Sequence, residues 1–512
     1  MNRKLSQHNG QGTKFPLILS VIVLVIAISC KKSTESEEVS VSLGAPTLTK
    51  LEAIGAEMDP HFFSQNLTRN DGSKESDWQY AIDRVKKMGL QKFRIMAQPQ
   101  WYEPYNDNDD ARTTDLGKFT FESQEMQSMY KVLDLAQEQR MDVCIVVWGC
   151  PTSVSLLDPE YIDVKRCFMA DPEGVGWITG PTDYDEWAEN FSVLIRHLVI
   201  DKGYTCVNEI TPMNEPDGGP LLSSEEYIKM AKVLDARFKK EGIRDKVRFN
   251  LSDNTDTRVS YLEDCAANLQ DVADIFNSHT YIFGYDTPNK TIQEWEKNNV
   301  SIAARVGKKH LVGEFGSNQC VGATRQLDID RYERGVLMSR LVLNFLNSGA
   351  AGVSYWSLID QYYNRNADCQ EMQQLGLWRY IRDAYKSDDN FGDIEIDYQV
   401  RPQYYSYTML TRFIRPGAEI YPIDLKDEFA AATAFKNEDG KWVYVFANNT
   451  VTCKFIAVNN PEANGEFEVY RYEKNNLPNS DQLIESDETV RVEDGKFQVT
   501  VERQSVVLCR QP

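Results

Sequence analysis

Apolar positions recur along this chain with two different periods, and the change from one to the other divides it. From about Leu51 to Arg415, short apolar runs alternate with amphipathic stretches. The runs are LEAIGAE (Leu51–Glu57), KFRIMA (Lys92–Ala97), DVCIVVW (Asp142–Trp148), EITPM (Glu209–Met213), VRFNL (Val247–Leu251), DIFNS (Asp274–Ser278), HLVGE (His310–Glu314) and GVSYW (Gly352–Trp356). Each is short and rich in β-branched or aromatic residues, as a buried strand is. Between them, SDWQYAIDRVKKMGL places Trp78, Ile82 and Val85 on one helical face behind Ser76 as cap. EMQSMYKVLDLAQEQ, DEWAENFSVLIRHLV, SSEEYIKMAKVLDARFKKEG and DRYERGVLMSRLVLNFLNSG repeat that spacing. Ser223 and Glu226 form a capping box. Eight strands interleaved with helices predict an α/β fold, a (β/α)8 TIM barrel over residues 47–415. An open doubly wound sheet would announce a glycine-rich phosphate turn after its first strand, and the sequence has none there.

After RPG (Arg415–Gly417) the period drops to two. EIYPI, FAAATAFKN, KWVYVFANN, CKFIAV, FEVYRYE, ETVRV, KFQVTV and SVVLCR are short alternating runs, with NEDGK and VEDGK as hairpin signals. Residues 416–512 are therefore expected to form a small all-β sandwich domain, to which part of the segment before the barrel adds a strand.

The N-terminus follows a different pattern. Arg3, Lys4 and Lys14 precede FPLILSVIVLVIAIS (Phe15–Ser29) and Cys30. A basic start and a short apolar core suit a signal peptide better than a membrane span. AISC is similar to a bacterial lipobox, which implies a signal peptide over residues 1–29 and lipidation of Cys30. That gives an exported lipoprotein at the outer membrane or cell surface, held to the membrane through its lipid. KKSTESEEVSVS lies within a polar segment, residues 30–46, that reads as a flexible tether.

Composition narrows the function classes. The 512 residues carry a net charge of −21, with 9 Trp, 25 Tyr and 22 Phe. The charge and the absence of a basic stripe argue against nucleic acid as a partner. The aromatics are ample for a core and for a binding groove. Ten cysteines without CxxC spacing argue against zinc. Cys144 and Cys206 read as buried thiols, and Cys150 with Cys167, Cys320 with Cys369, or Cys453 with Cys509 as possible disulfides.

In a barrel, the last residues of each strand point to one shared mouth. Those positions are Glu57, with Asp59 and His61 beyond it; Arg94, leading to QPQWYEPY and Trp101; Trp148; Asn214 and Glu215; Asp253 and Asn254; His279 and Tyr281; Glu314; and Trp356. Glu215 in ITPMNEPDGG and Glu314 in LVGEFGS are two carboxylates in equivalent places. Such a pair can cleave a glycosidic bond, one protonating the leaving oxygen and the other attacking the anomeric carbon. The loop Pro99–Asp115 and the segment carrying Tyr362, Tyr363 and Trp378 are candidate walls of the cleft. DNDD in that loop lacks the glycine and distal Glu of a helix–loop–helix calcium site, so no metal is expected.

With NEP after the fourth strand, the Glu of GEFG after the seventh, Arg in the second and Trp ending the eighth, the chain resembles clan A glycoside hydrolases. The resemblance covers the whole barrel. The tail from YYSYTMLTRFIRPG to RQSVVLCR is similar to families 30 and 39, and the NEP and barrel-wall residues are equally similar to family 5. It implies a retaining mechanism without cofactor, with Glu215 as acid/base and Glu314 as nucleophile. Asn214 would bind the sugar 2-hydroxyl, Tyr281 the nucleophile's oxygen, and Arg94 would keep Glu314 ionised. Trp356 would floor the subsite beside the cleaved bond, with Trp148 a second platform and Glu57, His279 and Trp101 further substrate-binding candidates. A glycan-binding lipoprotein on the same barrel and a transglycosidase are the alternatives. The sugar and its linkage are not readable.

Overall fold

The computed structural model describes residues 36–60, 75–148 (save 105 and 109), 180–317 (save 182, 219, 256–258 and 283), 329–362, 372–373, 375–379 and 398–512. Cys30, His61, Tyr105, Cys150, Cys167, Cys320, Tyr363 and Cys369 lie outside them.

The eight apolar runs are the eight strands of one closed barrel, each parallel to the next. After an N-terminal strand β1 (Ser36–Ser42) the barrel runs β2 (Ala53–Glu57), α1 (Glu75–Met88), β3 (Lys92–Ala97), α2 (Gln124–Gln139), β4 (Asp142–Val147), α3 (Tyr184–Arg196) and β5 (Val207–Thr211). It continues α4 (Ser224–Lys240), β6 (Arg248–Asn254), α5 (Val259–Asn268), β7 (Ile275–Ile282), α6 (Asn289–Arg305), β8 (Lys309–Ser317), α7 (Glu333–Asn347) and β9 (Gly352–Tyr355). A two-stranded ribbon, β10 (Gln361–Tyr362) and β11 (Met372–Gln373), precedes the closing helix α8 (Pro402–Phe413). The capping box at Ser223 is formed, whereas α1 already includes Ser76, which is therefore not its cap.

Instead of the aliphatic layers usual in such barrels, part of the interior is ionic. Lys92 Nζ lies 2.5 Å from Glu209 Oε1, Arg248 Nη2 lies 2.9 Å from Glu209 Oε2, and Asn250 Nδ2 donates to Glu209 Oε1 at 2.9 Å. Asn277 donates to Asn250 at 2.8 Å. Asn277 fits because its neighbour on β8 is Gly313: a Cβ there would stand 2.3 Å from Asn277 Oδ1.

The C-terminal runs form β12 (Glu419–Ile423), β13 (Ala430–Lys436), β14 (Trp442–Asn448), β15 (Cys453–Asn459), β16 (Gly465–Tyr472), β17 (Ser486–Val492), β18 (Lys496–Val501) and β19 (Ser505–Arg510). One sheet has the order β12-β13-β14-β19-β16-β17, the other β1-β15-β18. Alternation along β14 shows how the larger sheet serves two cores. Trp442, Tyr444 and Phe446 pack between the sheets, whereas Val443, Val445 and Ala447 join the barrel's core. Both faces are covered, so the strand reads as a continuous apolar run. The same demand buries α7, packed against β12–β14, on every side, with Arg334, Ser339, Arg340 and Asn344 buried among its apolar residues.

Three expectations need correction. The tether ends sooner than read: Ser36–Ser42 is the strand expected from the segment before the barrel, running parallel to β15 from Ser36↔Cys453 to Ser42↔Asn459 and fixed by Val41 in the sandwich core. The VEDGK hairpin turn forms, Glu493 and Lys496 exchanging backbone hydrogen bonds at 3.1 and 2.9 Å, but the strands it joins, β17 and β18, pair in different sheets. Cys453 and Cys509 are buried free thiols rather than a disulfide. Cys144 and Cys206 are buried thiols, as expected. Among the described residues no helix is long and apolar enough to cross a membrane.

Candidate active site

The strand ends converge on one guanidinium. Arg94, in the middle of β3, is 3% exposed. Its Nη1 donates to Glu57 Oε2 at 3.3 Å and to Glu314 Oε2 at 3.2 Å. Its Nη2 donates to Asn214 Oδ1 at 2.7 Å and Asp253 Oδ2 at 2.9 Å. One side chain thus ties together the ends of β2, β5, β6 and β8. Its planar fork of five donors suits this, and a lysine could not replace it.

His279, at the end of β7, is the second hub. Its Nδ1 lies 2.8 Å from Glu215 Oε1 and 3.6 Å from Glu314 Oε2, and its Nε2 lies 3.1 Å from Asp253 Oδ1. Burial favours the neutral ring, but Asp253, Glu314 and Glu215 surround it and hold its pKa well above the usual value. The Tyr281 hydroxyl donates to Glu314 Oε1. Tyr281 and His279 are two apart on β7 and so share a face.

Backbone irregularities aim these groups. The pairing of β6 with β7 slips between Ser252 and Asn254, leaving Asp253 in a bulge. Ser252 (φ 81°) and Asp253 (φ 49°) are both left-handed, and Glu215 has φ 39°. Such conformations are costly for residues with a Cβ and concentrate at functional sites. Asn214 is anchored by its N–H on Val147 O at 2.9 Å, and Gly218 N–H closes a turn on Glu215 O at 2.9 Å. A Cβ on Gly218 would stand 2.9 Å from Thr255 Cγ2, so the turn that follows NEP needs its glycine.

The charges are unequal. Burial raises the Glu314 carboxyl above its ordinary value, and repulsion from Glu215 adds to this; His279, Arg94 and the Tyr281 hydroxyl oppose it. Asp253 is held low: burial works against this, and Arg94 and His279 outweigh it. Burial pushes Glu57 up to about 8, with Arg94 opposing and Glu314 and Asp59 reinforcing. At neutral pH Glu57 is therefore a protonated acid beside Arg94.

The Glu57 shift carries a stability signature. Its carboxyl titrates at 4.5 in an unconstrained chain and at about 8 in the fold. Between these values the folded state holds one proton more, so stability falls as pH rises through that window. Glu57→Gln is expected to flatten this slope, melting above wild type at pH 9 but not at pH 5. Calorimetric melting curves across that range check it, and parallel curves for the two proteins would refute it.

Trp148 and Trp356 stack on one another, ring centroids 5.2 Å apart and planes 7° from parallel. The Trp356–Ser357 peptide bond is cis. Trp101 and Trp378 depart from expectation. Trp101 follows a proline-started 3-10 turn into the core and is 1% exposed, and Trp378 is fully buried, so neither offers a face to a ligand. Glu57 sits beneath Arg94, 1% exposed, as part of the charge network rather than as a wall of the cleft. Asp253 is the network member that strand-end reading named without assigning a role. The signal for it was the polar ending NLSDN of an otherwise apolar strand.

Glu215, His279 and Glu314 offer ligand atoms within 4.8 Å of one another, close enough for a metal ion. The charges argue for a different use. Arg94 touches Glu314, and both His279 nitrogens already face carboxylates, leaving no lone pair for a metal.

No family model matches this sequence, and no curated protein matches it. Solved structures do. A glycoside hydrolase family 30 subfamily 8 xylanase from Clostridium acetobutylicum superposes with a TM-score of 0.61 at 12% identity, over 92% of this chain and 99% of that one. An endo-β1,6-glucanase gives 0.60 at 17% identity, over 92% and 94%. A GH39 β-xylosidase from Caulobacter crescentus gives 0.59 at 13% identity, over 93% and 100%. The chain thus has the fold of family 30 and family 39 glycoside hydrolase structures, a (β/α)8 barrel followed by a β-sandwich.

Proposed function

We propose that this chain is a retaining β-glycosidase in which Glu215 is the acid/base and Glu314 the nucleophile. The observation that carries the reading is the closeness of the two carboxylates: one oxygen of each lies within 4.8 Å of the other, and both approach His279 Nδ1, Glu215 at 2.8 Å and Glu314 at 3.6 Å. Retaining enzymes hold their carboxyl groups about 5–5.5 Å apart, whereas inverting ones leave about 6.5–9.5 Å for a water. Glu314 Oε1 is fixed by Tyr281 and Oε2 by Arg94, which orients a nucleophile. Glu215 is the more exposed of the pair, its side chain 24% accessible against 9% for Glu314, which suits a group that meets leaving group and then water.

The pair needs one proton. In the first step Glu215 delivers it to the leaving oxygen while Glu314 attacks the anomeric carbon. In the second Glu215 takes a proton from the incoming water and the ester at Glu314 breaks. Asn214, held by Arg94, would meet the sugar 2-hydroxyl, whereas Trp356, 3% exposed and stacked on Trp148, leaves little more than a ring edge for the sugar. The structural neighbours include xylan- and β1,6-glucan-degrading enzymes, so the fold leaves the sugar open.

The test is a panel of β-linked oligosaccharides and polysaccharides followed by proton NMR. The reading expects the β-anomer of the product first and mutarotation afterwards. An initial α-anomer would reject retention. Glycan binding without turnover on any substrate would favour a binding protein on this barrel. The chain is also proposed to be exported and lipidated at Cys30. Metabolic labelling with a radioactive fatty acid is expected to mark the wild-type protein and not Cys30→Ala, and equal labelling would refute it.

A further inference from the structure

The loop after β3 and the helix after β4 meet in a cluster of acids that the proposed reaction does not use. Glu186 and Glu189 are three apart on the first turns of α3 and so project from one face. Asp107 comes from the loop, and the ligand oxygens of these three side chains lie within 4.8 Å of one another. Glu103 borders them. Its Oε1 accepts from Asp107 N at 3.1 Å and its Oε2 from Asn190 Nδ2 at 2.8 Å.

These acids are buried: Glu189 is 1% exposed, Glu103 3%, Glu186 5% and Asp107 9%. Among the described residues, Arg237 reaches the cluster, its Nη2 3.3 Å from Glu189 Oε1. Burial pushes the Glu103 carboxyl up to about 8, so it is protonated at neutral pH, and Asp107, Glu186 and Glu189 remain as the acids close enough to share an ion. The individual oxygens show where. Asp107 Oδ2 accepts from Asp115 N at 2.5 Å, and Glu189 Oε1 accepts from Thr114 Oγ1 and Arg237. The second oxygen of each, Asp107 Oδ1 and Glu189 Oε2, is fully buried with no hydrogen-bond partner. A buried carboxylate oxygen without a donor is expensive, and two of them in one cluster point to a shared cation.

We propose that Asp107, Glu186 and Glu189 bind one calcium ion, which clamps the loop after β3 to the first turns of α3. Oxygens up to 4.8 Å apart can face one another across a centre, because calcium–oxygen distances are about 2.3–2.6 Å. A donor set made only of carboxylates selects a hard cation over zinc or copper. Calcium also tolerates the irregular, partly bidentate geometry that a loop and a helix supply, and water completes its shell. The contiguous loop motif is absent because two of the three acids come from α3.

The test uses the whole mature chain, stripped with EDTA and titrated with calcium chloride by isothermal calorimetry. One site per chain is expected, with magnesium at least about tenfold weaker. Melting temperature should rise by several degrees with calcium and fall back with EDTA. Asp107→Asn and Glu189→Gln should each weaken calcium binding at least tenfold, while Asp110→Asn, on a loop acid paired with Arg112, should leave it unchanged. Absence of a calcium heat in the wild-type chain would overturn the proposal, as would undiminished binding in both variants. If the acids instead share protons, melting temperature will follow pH and ignore calcium. The outcome is independent of whether the barrel mouth cleaves a glycoside.

Discussion

Glu314→Gly is expected to lower turnover of an activated aryl β-glycoside by about four orders of magnitude or more, on the order of 5 kcal/mol of transition-state stabilisation. The loss should be in turnover rather than fold. The glycine removes a carboxyl that burial and Glu215 make costly to ionise, which offsets part of the cost of leaving Arg94 and Tyr281 without that acceptor, so the variant should still fold and melt cooperatively. Azide should restore turnover, because a small anion fits the space the carboxyl leaves and attacks from the same face. The product should be the α-glycosyl azide, inverted relative to the substrate. In Glu215→Ala the opposite stereochemistry is expected: the covalent intermediate still forms on Glu314, and azide captures it as the β-glycosyl azide. Swapped products would exchange the two roles.

Arg94→Met should be the most damaging change in stability. It leaves Glu57, Asp253 and Glu314 buried around a site with no guanidinium. Breaking a buried ion pair on one side costs about 3–5 kcal/mol, and here Asp253, Glu314, the Glu57 carboxyl and the Asn214 amide oxygen all lose the same donor. The sign of the pH dependence follows from the charges. Without Arg94 the neighbouring carboxyl pKa values rise further, so the folded variant takes up protons that the unfolded chain does not. Its deficit should therefore be smaller at pH 5 than at pH 8. Urea unfolding at both values measures it. A deficit under about 1 kcal/mol, or the same at both pH values, would mean that Arg94 is dispensable to the network.

The barrel was legible because a short buried strand leaves a continuous apolar run and its helix leaves a 3.6-residue stripe. The network was legible because barrel geometry turns the last residue of a strand into a residue at the mouth. That is why Arg94, Asn214, Glu215, His279, Tyr281 and Glu314 could be named together and are found in contact. What escaped depends on geometry that no run encodes. The role of Asp253 depends on a register slip and two left-handed residues. Trp101 looked like a cleft aromatic, yet a proline-started turn sends it inward. A strand before the barrel was expected but its bounds escaped, because Ser36–Ser42 is mostly polar: one edge strand needs little more than Val41 in the core and backbone pairing with β15. The acids of α3 are spaced like any solvated helix face, and only burial against the Asp107 loop sets them apart.

The central claim is that Glu314 forms a covalent bond to the sugar. A 2-deoxy-2-fluoro-β-glycosyl fluoride of the sugar identified by the substrate panel should inactivate the enzyme and add one fluorosugar to its intact mass. After peptic digestion the label should sit on the peptide LVGEFGS, at Glu314. A label on Glu215, or an enzyme that turns over its substrate with inversion and takes no label, would contradict the account.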